Sequence, residues 1–165
     1  LVTYPFSEYS GTPGPKRKSG DSQIPEGFYH ISAFNPDSQF YLSLRVDYPN
    51  KSDRILGDKS DLGGDIYIHG GSATIGCIPI TNDKIKELYL LAVEAKSNGR
   101  ENIPVLMFPC EMRGAEYAKL KEKNRFDGGL MNFWNNLKVI YHHFEKYRLL
   151  PQVTIDKEGK YKIIK

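Results

Sequence analysis

Cysteine is scarce, with two in 165 residues. That is too few for a disulfide framework, and no Cys-x-x-Cys spacing suggests a zinc ribbon or a dithiol redox site. No apolar run approaches the ~18 residues of a membrane-spanning helix. A strong excess of one charge is also lacking: 23 Lys and Arg stand against 20 Asp and Glu, for a net charge of +3. The one tight basic cluster is Lys16-Arg17-Lys18, so nucleic acid is not an expected partner. These shortages exclude membrane-spanning, collagenous, disulfide-scaffold and zinc-ribbon classes. What is present is a globular balance, 39% hydrophobic and 26% charged. The length suits one domain whose core needs no disulfide or metal. Eleven tyrosines and 12% aromatic residues fit a β-rich scaffold with a polar cleft. The chain starts at Leu1 rather than Met, so an upstream segment is expected to have been removed and no export signal is left to read.

Gly and Pro punctuate residues 1–26, which reads as loop with a short strand at Leu1–Tyr4. Residues 27–34 alternate as a strand, and Asn35-Pro36-Asp37-Ser38 is turn chemistry. From Phe40 to Val46 the pattern is a clear strand. Phe40, Leu42, Leu44 and Val46 share one face, and Tyr41, Ser43 and Arg45 the other. Residues 50–64 read as loop, and Asp65–His69 as a short strand entering Gly70-Gly71. A helix follows at about 83–97, with Ile85, Leu88, Tyr89, Ala92 and Val93 on its apolar face and Thr81 or Asn82 as cap. Ile103–Phe108 reads as a strand and about 130–149 as a second helix. Val153–Ile164 reads as a hairpin turning at Glu158-Gly159. The expectation is an α+β fold, β-rich, with peripheral helices, and residues 1–165 as a single domain in which about 115–165 form an accessory extension.

One stretch carries chemistry: His69-Gly70-Gly71-Ser72-Ala73-Thr74-Ile75-Gly76-Cys77. A histidine ends a strand, a small-residue loop turns back, and a Gly-Cys pair follows. Such a turn can join a thiol to an imidazole. A free thiol is only a few per cent ionised at neutral pH, and a neighbouring base raises that share and later returns the proton to a leaving amine. Gly76 lets backbone amides approach a developing oxyanion. A buried, inert thiol and a strand-end histidine remain the competing reading.

The chain also resembles a known family. Gly14-Pro15-Lys16, Gly20-Asp21, Pro25-Glu26-Gly27-Phe28-Tyr29, Asn35-Pro36, Tyr48-Pro49-Asn50, Asp53, His69-Gly70, Thr74-x-Gly76-Cys77 and Phe108-Pro109 occur in the order of the YkuD-type L,D-transpeptidase domain, in its YafK-like branch. The resemblance implies a YkuD-like β-sandwich or mixed sheet and no cofactor. It implies Cys77 as nucleophile, His69 as base and the Gly70 carbonyl holding the imidazole tautomer. The Gly76 and Cys77 amides would form the oxyanion hole, and Thr74 sits where the family places Ser or Thr; Thr74, Lys16, Tyr48 and Arg45 are the candidate substrate-binding residues. The implied partners are peptidoglycan stem peptides and an envelope lipoprotein, and the implied location is the periplasm or cell envelope. The chain would begin about where the family's first strands end.

Ile75 and Pro79 stand where the commoner Ser-His-Gly-Cys-x-Arg pattern has its second His and its Arg. An apolar wall at Ile75 is expected to disfavour a charged amine acceptor, so hydrolysis should outweigh cross-linking. The alternatives are an L,D-carboxypeptidase or amidase, and a cell-wall-binding module with weak chemistry. Outside the motif, Cys110 reads as a structural thiol, and His142 and His143 as helix-surface residues without ligand partners. His30 suits a pairing role as well as a site role. Lys16-Arg17-Lys18 reads as a solvated loop or as a contact to substrate carboxylates, and the Tyr41-Ser43-Arg45 face as solvent side or cleft wall.

Overall fold

The structure is a computed structural model that describes residues 2–164. A long hairpin begins it, β1 (Gly27–Ser38) and β2 (Tyr41–Val46), followed by the short helix α1 (Lys51–Leu56). Next come β3 (Tyr67–His69), β4 (Ile78–Pro79), α2 (Asn82–Ser97) and β5 (Pro104–Met107). Two helices, α3 (Gly114–Lys123) and α4 (Gly128–Tyr147), precede a hairpin of β6 (Val153–Ile155) and β7 (Tyr161–Ile163). The first five strands make one mixed sheet in the order β4-β3-β2-β1-β5, with only β3 and β4 parallel. The α+β fold, the mixed sheet and both expected helices are therefore present.

Several expectations are corrected. Val2–Tyr4 are not a strand, and Leu1 lies outside the described residues. Instead Ser7 straps the outer strand: its N–H donates to the Pro79 carbonyl at 2.9 Å and its hydroxyl to the Gly71 carbonyl at 2.8 Å. The turn expected at Asn35–Ser38 is strand, because β2 continues the ladder to Ser38↔Tyr41 across a bulge that accommodates Pro36. The loop at 50–64 contains α1, started by a reciprocal capping box between Asn50 and Asp53. Helix α3 is a further element beyond those expected.

Two apolar clusters fill the molecule. One joins Tyr29, Leu44, Val46, Ile66, Ile78 and Ile80 of the sheet region to Ile85 and Ala92 of α2. Those two helix residues are two turns apart, so they face the sheet together. The other gathers Met112, Tyr117 and Tyr161 around Phe133, Trp134, Leu137, Ile140 and Tyr141 of α4. Buried polar ties connect the clusters. Trp134 Nε1 donates to Glu26 at 2.7 Å, and Asn50 Nδ2 donates to the Tyr161 hydroxyl at 2.9 Å.

Candidate active site

Strand register decides which side chains meet. Ser43 of β2 lies opposite His69 of β3, and Arg45 opposite Tyr67. In the parallel pair, Ile68 matches Ile78 and His69 matches Pro79. Alternation then puts Ser43, Tyr67 and His69 on one face, and Cys77, one residue before Ile78, joins them. Asn35 enters through its pairing with Ser43. Diagonal positions on neighbouring strands are about 7–8 Å apart at the backbone, within reach of an imidazole. Asn35, Ser43, Tyr67, His69 and Cys77 line one cavity of about 370 Å³, closed by Asp37, Ser38, Gln39 and Phe40 of the hairpin tip.

His69 is 2% exposed, and its Nδ1 lies 2.6 Å from the Gly70 carbonyl. A carbonyl only accepts, so Nδ1 carries the proton and Nε2 keeps its lone pair. The Phe40 ring lies over the imidazole at 4.6 Å between centroids. Gly70 is a glycine because there is no room for more: an added Cβ would sit 2.5 Å from Asn82 Oδ1 and 2.6 Å from the Phe40 carbonyl oxygen. Asn82, the first residue of α2, accepts the Gly71 N–H at 2.9 Å. The helix start thus braces the turn that orients the histidine.

Cys77 is half-buried, and its thiol donates a long bond to the Asp65 carbonyl at 3.5 Å. Burial pushes this thiol above its ordinary pKa, and the Asp65 charge adds to that. The Tyr67 amide and the Lys16 charge work in the opposite direction. A thiol held in this way needs a base before it can attack.

The remaining expected site residues are placed as follows. The Thr74 hydroxyl donates to the Cys77 carbonyl at 2.7 Å and accepts the Gly76 N–H at 3.1 Å. It therefore pins the loop, and the Gly76 amide is occupied by it. Lys16 is buried with Nζ 2.7 Å from Asp21 and 2.9 Å from the Lys18 carbonyl, so it is a framework cation rather than a solvated or substrate-facing one. Tyr48 is buried too, donating to the Leu62 carbonyl at 3.0 Å. Neither lines the cavity. Arg45 is exposed and paired with Asp65 at 3.2 Å, beside the cavity. Ile75 is 84% exposed and forms no wall. His30 pairs with Asp47 at 3.3 Å, and Cys110 lines a different cavity. His143 packs on Tyr147 of α4.

Six residues of the cavity are not site candidates in the sequence: Asn35, Asp37, Ser38, Gln39, Phe40 and Tyr67. Alternation assigned Phe40 to the core face, but Tyr41 takes a positive φ of 76°, which breaks the alternation and turns the ring onto His69. The turn residues Asn35 and Asp37 belong to an extended hairpin that overhangs the site.

With this geometry in view, comparison with known proteins defines the class. The profile of the YkuD family, the L,D-transpeptidase catalytic domain, matches residues 3–105, and the chain belongs to that family. A relative, YafK of Escherichia coli, described as a candidate L,D-transpeptidase, is 34% identical over the whole of this chain. This chain spans 64% of that protein's length. Among solved structures, a mutant form of the helical cell shape determining protein Pgp2 from Campylobacter jejuni matches with a TM-score of 0.50 at 18% identity. The match covers 94% of this chain and 78% of that one, and at such identity it speaks for the fold alone.

Proposed function

We propose that this chain is a cysteine acyl-transfer enzyme acting on peptidoglycan stem peptides, at the L-centre of the third residue. The observation that supports this most directly is that His69, its Nδ1 proton fixed by the Gly70 carbonyl, lines the same cavity as Cys77. In this reading the Cys77 thiol gives its proton to Nε2 and its sulfur attacks the amide carbonyl carbon. The Cys77 amide stabilises the oxyanion, because the Gly76 amide is held by Thr74. Collapse breaks the C–N bond, the leaving amine takes the proton from His69, and a thioester remains. An acceptor amine, or water, then gives a proton to Nε2 and attacks the thioester, and the C–S bond breaks to restore the thiol.

The expected bias toward hydrolysis loses its premise, since Ile75 stands in solvent. Ile75 then sets no barrier to an amine acceptor. Cross-linking, the activity after which the family is described, is the first reading. Hydrolysis, including release of a protein attached to the stem peptide, is the second. The implied location is the periplasm or cell envelope, where such substrates are found. Among the described residues no helix is long and apolar enough to cross a membrane.

Muropeptides incubated with the protein and read by mass spectrometry test this. Cross-linked dimers or trimmed peptides are expected, and none with Cys77→Ala. Unchanged muropeptides with a folded wild-type protein would leave a binding module.

A further inference from the structure

A second cavity shares no lining residue with the Cys77 cavity. It holds about 560 Å³, inside the range of about 300–1,000 Å³ usual for ligand sites. Its walls are mainly apolar and aromatic: Phe6 and Tyr9 from the N-terminal segment, Phe108 beyond β5 and Tyr141 of α4. Glu26, from the Pro-Glu-Gly-Phe-Tyr motif, lines it and is only 5% exposed. One Glu26 oxygen accepts the Gly14 N–H at 2.7 Å and the other accepts Trp134 Nε1–H at 2.7 Å. A carboxylate has about four acceptor positions, so two remain.

Among the described residues no Lys or Arg lines the cavity and Glu26 forms no ion pair. Arg17 is the cation whose field reaches it, but that guanidinium is engaged with Asp53 at 3.5 Å and lies over Phe133 at 4.7 Å. Around it, Cys110 and Tyr117 feel the Glu26 charge, and Trp134 only donates. Glu111 also lines the cavity, but is neutralised by Arg113 at 3.2 Å. A buried carboxylate without a partner is costly, and a cation is the group that relieves the cost. Aromatic faces around the approach attract the same charge and accept an apolar body.

We propose that this cavity is a second binding site, for an ammonium group carried on an apolar stem. The ammonium pairs with Glu26, and the stem lies between Phe6, Tyr9, Phe108 and Tyr141. Two sources share this chemistry: a free alkylamine and the lysine side chain of a peptide.

Trp134 is the single tryptophan of the chain and bonds directly to Glu26, so its emission reports on the site. Hexylammonium, Nα-acetyl-lysine-N-methylamide, 1-hexanol and hexanoate are titrated against the whole protein, with calorimetry in parallel. Saturable binding of at least one amine is expected, about tenfold tighter than hexanol, with no binding of hexanoate. Whichever amine binds more tightly identifies the source. Burial pushes Glu26 up to about 7, so amine binding tightens as pH rises from 6 to 8 while hexanol is unaffected. Glu26→Gln removes the preference for amine over alcohol. Tyr9→Ala, at a wall residue that is 69% exposed, weakens amine binding severalfold and secures the test if Glu26→Gln fails to fold. Cys77→Ala leaves binding unchanged. Equal binding of hexanol and both amines, a flat pH profile, or no binding by either readout would overturn the proposal.

Discussion

His69 depends on a turn with no spare volume. Its Nδ1 proton is fixed by the Gly70 carbonyl, and Gly70 is wedged between Asn82 and the Phe40 backbone. Gly70→Ala must displace one of them, and the Phe40 carbonyl is backbone and cannot swing aside. The expected result is a folded but less stable protein whose turnover falls more than tenfold, read by muropeptide turnover alongside thermal melting. His69→Ala should cost about 10²–10⁴-fold in rate, the usual contribution of a general base. Circular dichroism should show the fold retained in that variant, and full activity would remove His69 from the reaction.

Among the elements, α2 does more than cover the sheet. Its first residue, Asn82, accepts the Gly71 N–H and so links the helix start to the strand-end histidine. Asn82→Ala should leave the helix intact, since Ile85 and Ala92 anchor it, yet loosen the turn. A severalfold fall in kcat with little change in melting temperature is expected, and an equal loss of stability would make Asn82 merely structural. The helix itself was legible from its 3.6-residue period, as was α4, and β2 from its alternation. The role of Asn82 was not, because a cap candidate looks the same whether it bonds its own helix or a neighbouring turn. The missed α1 and α3 had local signals, Asn50-x-x-Asp53 and a Tyr117–Leu120 spacing, set among glycines and charges that read as loop. His69 and Cys77 were visible because their glycine-rich spacing is local. Asn35, Asp37 and Phe40 reach the cavity through a bulged hairpin whose course depends on long-range pairing. Lys16 and Tyr48 looked like surface contacts, and only the packed structure reveals the buried carboxylate and carbonyls that they satisfy.

Across the whole molecule, two buried acids set the response to pH. Burial raises Glu26 to about 7 and Asp53 to about 6, from ordinary values of 4.5 and 3.8. The folded chain holds protons that the unfolded chain releases, so the contribution to stability is full below pH 4 and is lost as pH rises through 6 and 7. Melting temperature should therefore decline between about pH 5 and pH 7.5, with a shallower slope in Glu26→Gln. A slope of opposite sign would show that other groups dominate. Because Trp134 and Tyr161 of the second cluster bond to Glu26 and Asn50 of the sheet region, we propose that the chain unfolds as a single unit. Calorimetry should give one transition, and two resolved transitions would separate the parts.

The strap at Ser7 has a consequence for association. A strand at the margin of a sheet invites a foreign strand to continue the ladder. Ser7 occupies the Pro79 carbonyl that such a newcomer would need, two residues along the chain from Cys77. Deleting residues 2–10 should bare that margin and produce self-association visible by light scattering. The same opening would let an extended peptide lie along β4, turning a guarded border into a landing strip beside Cys77.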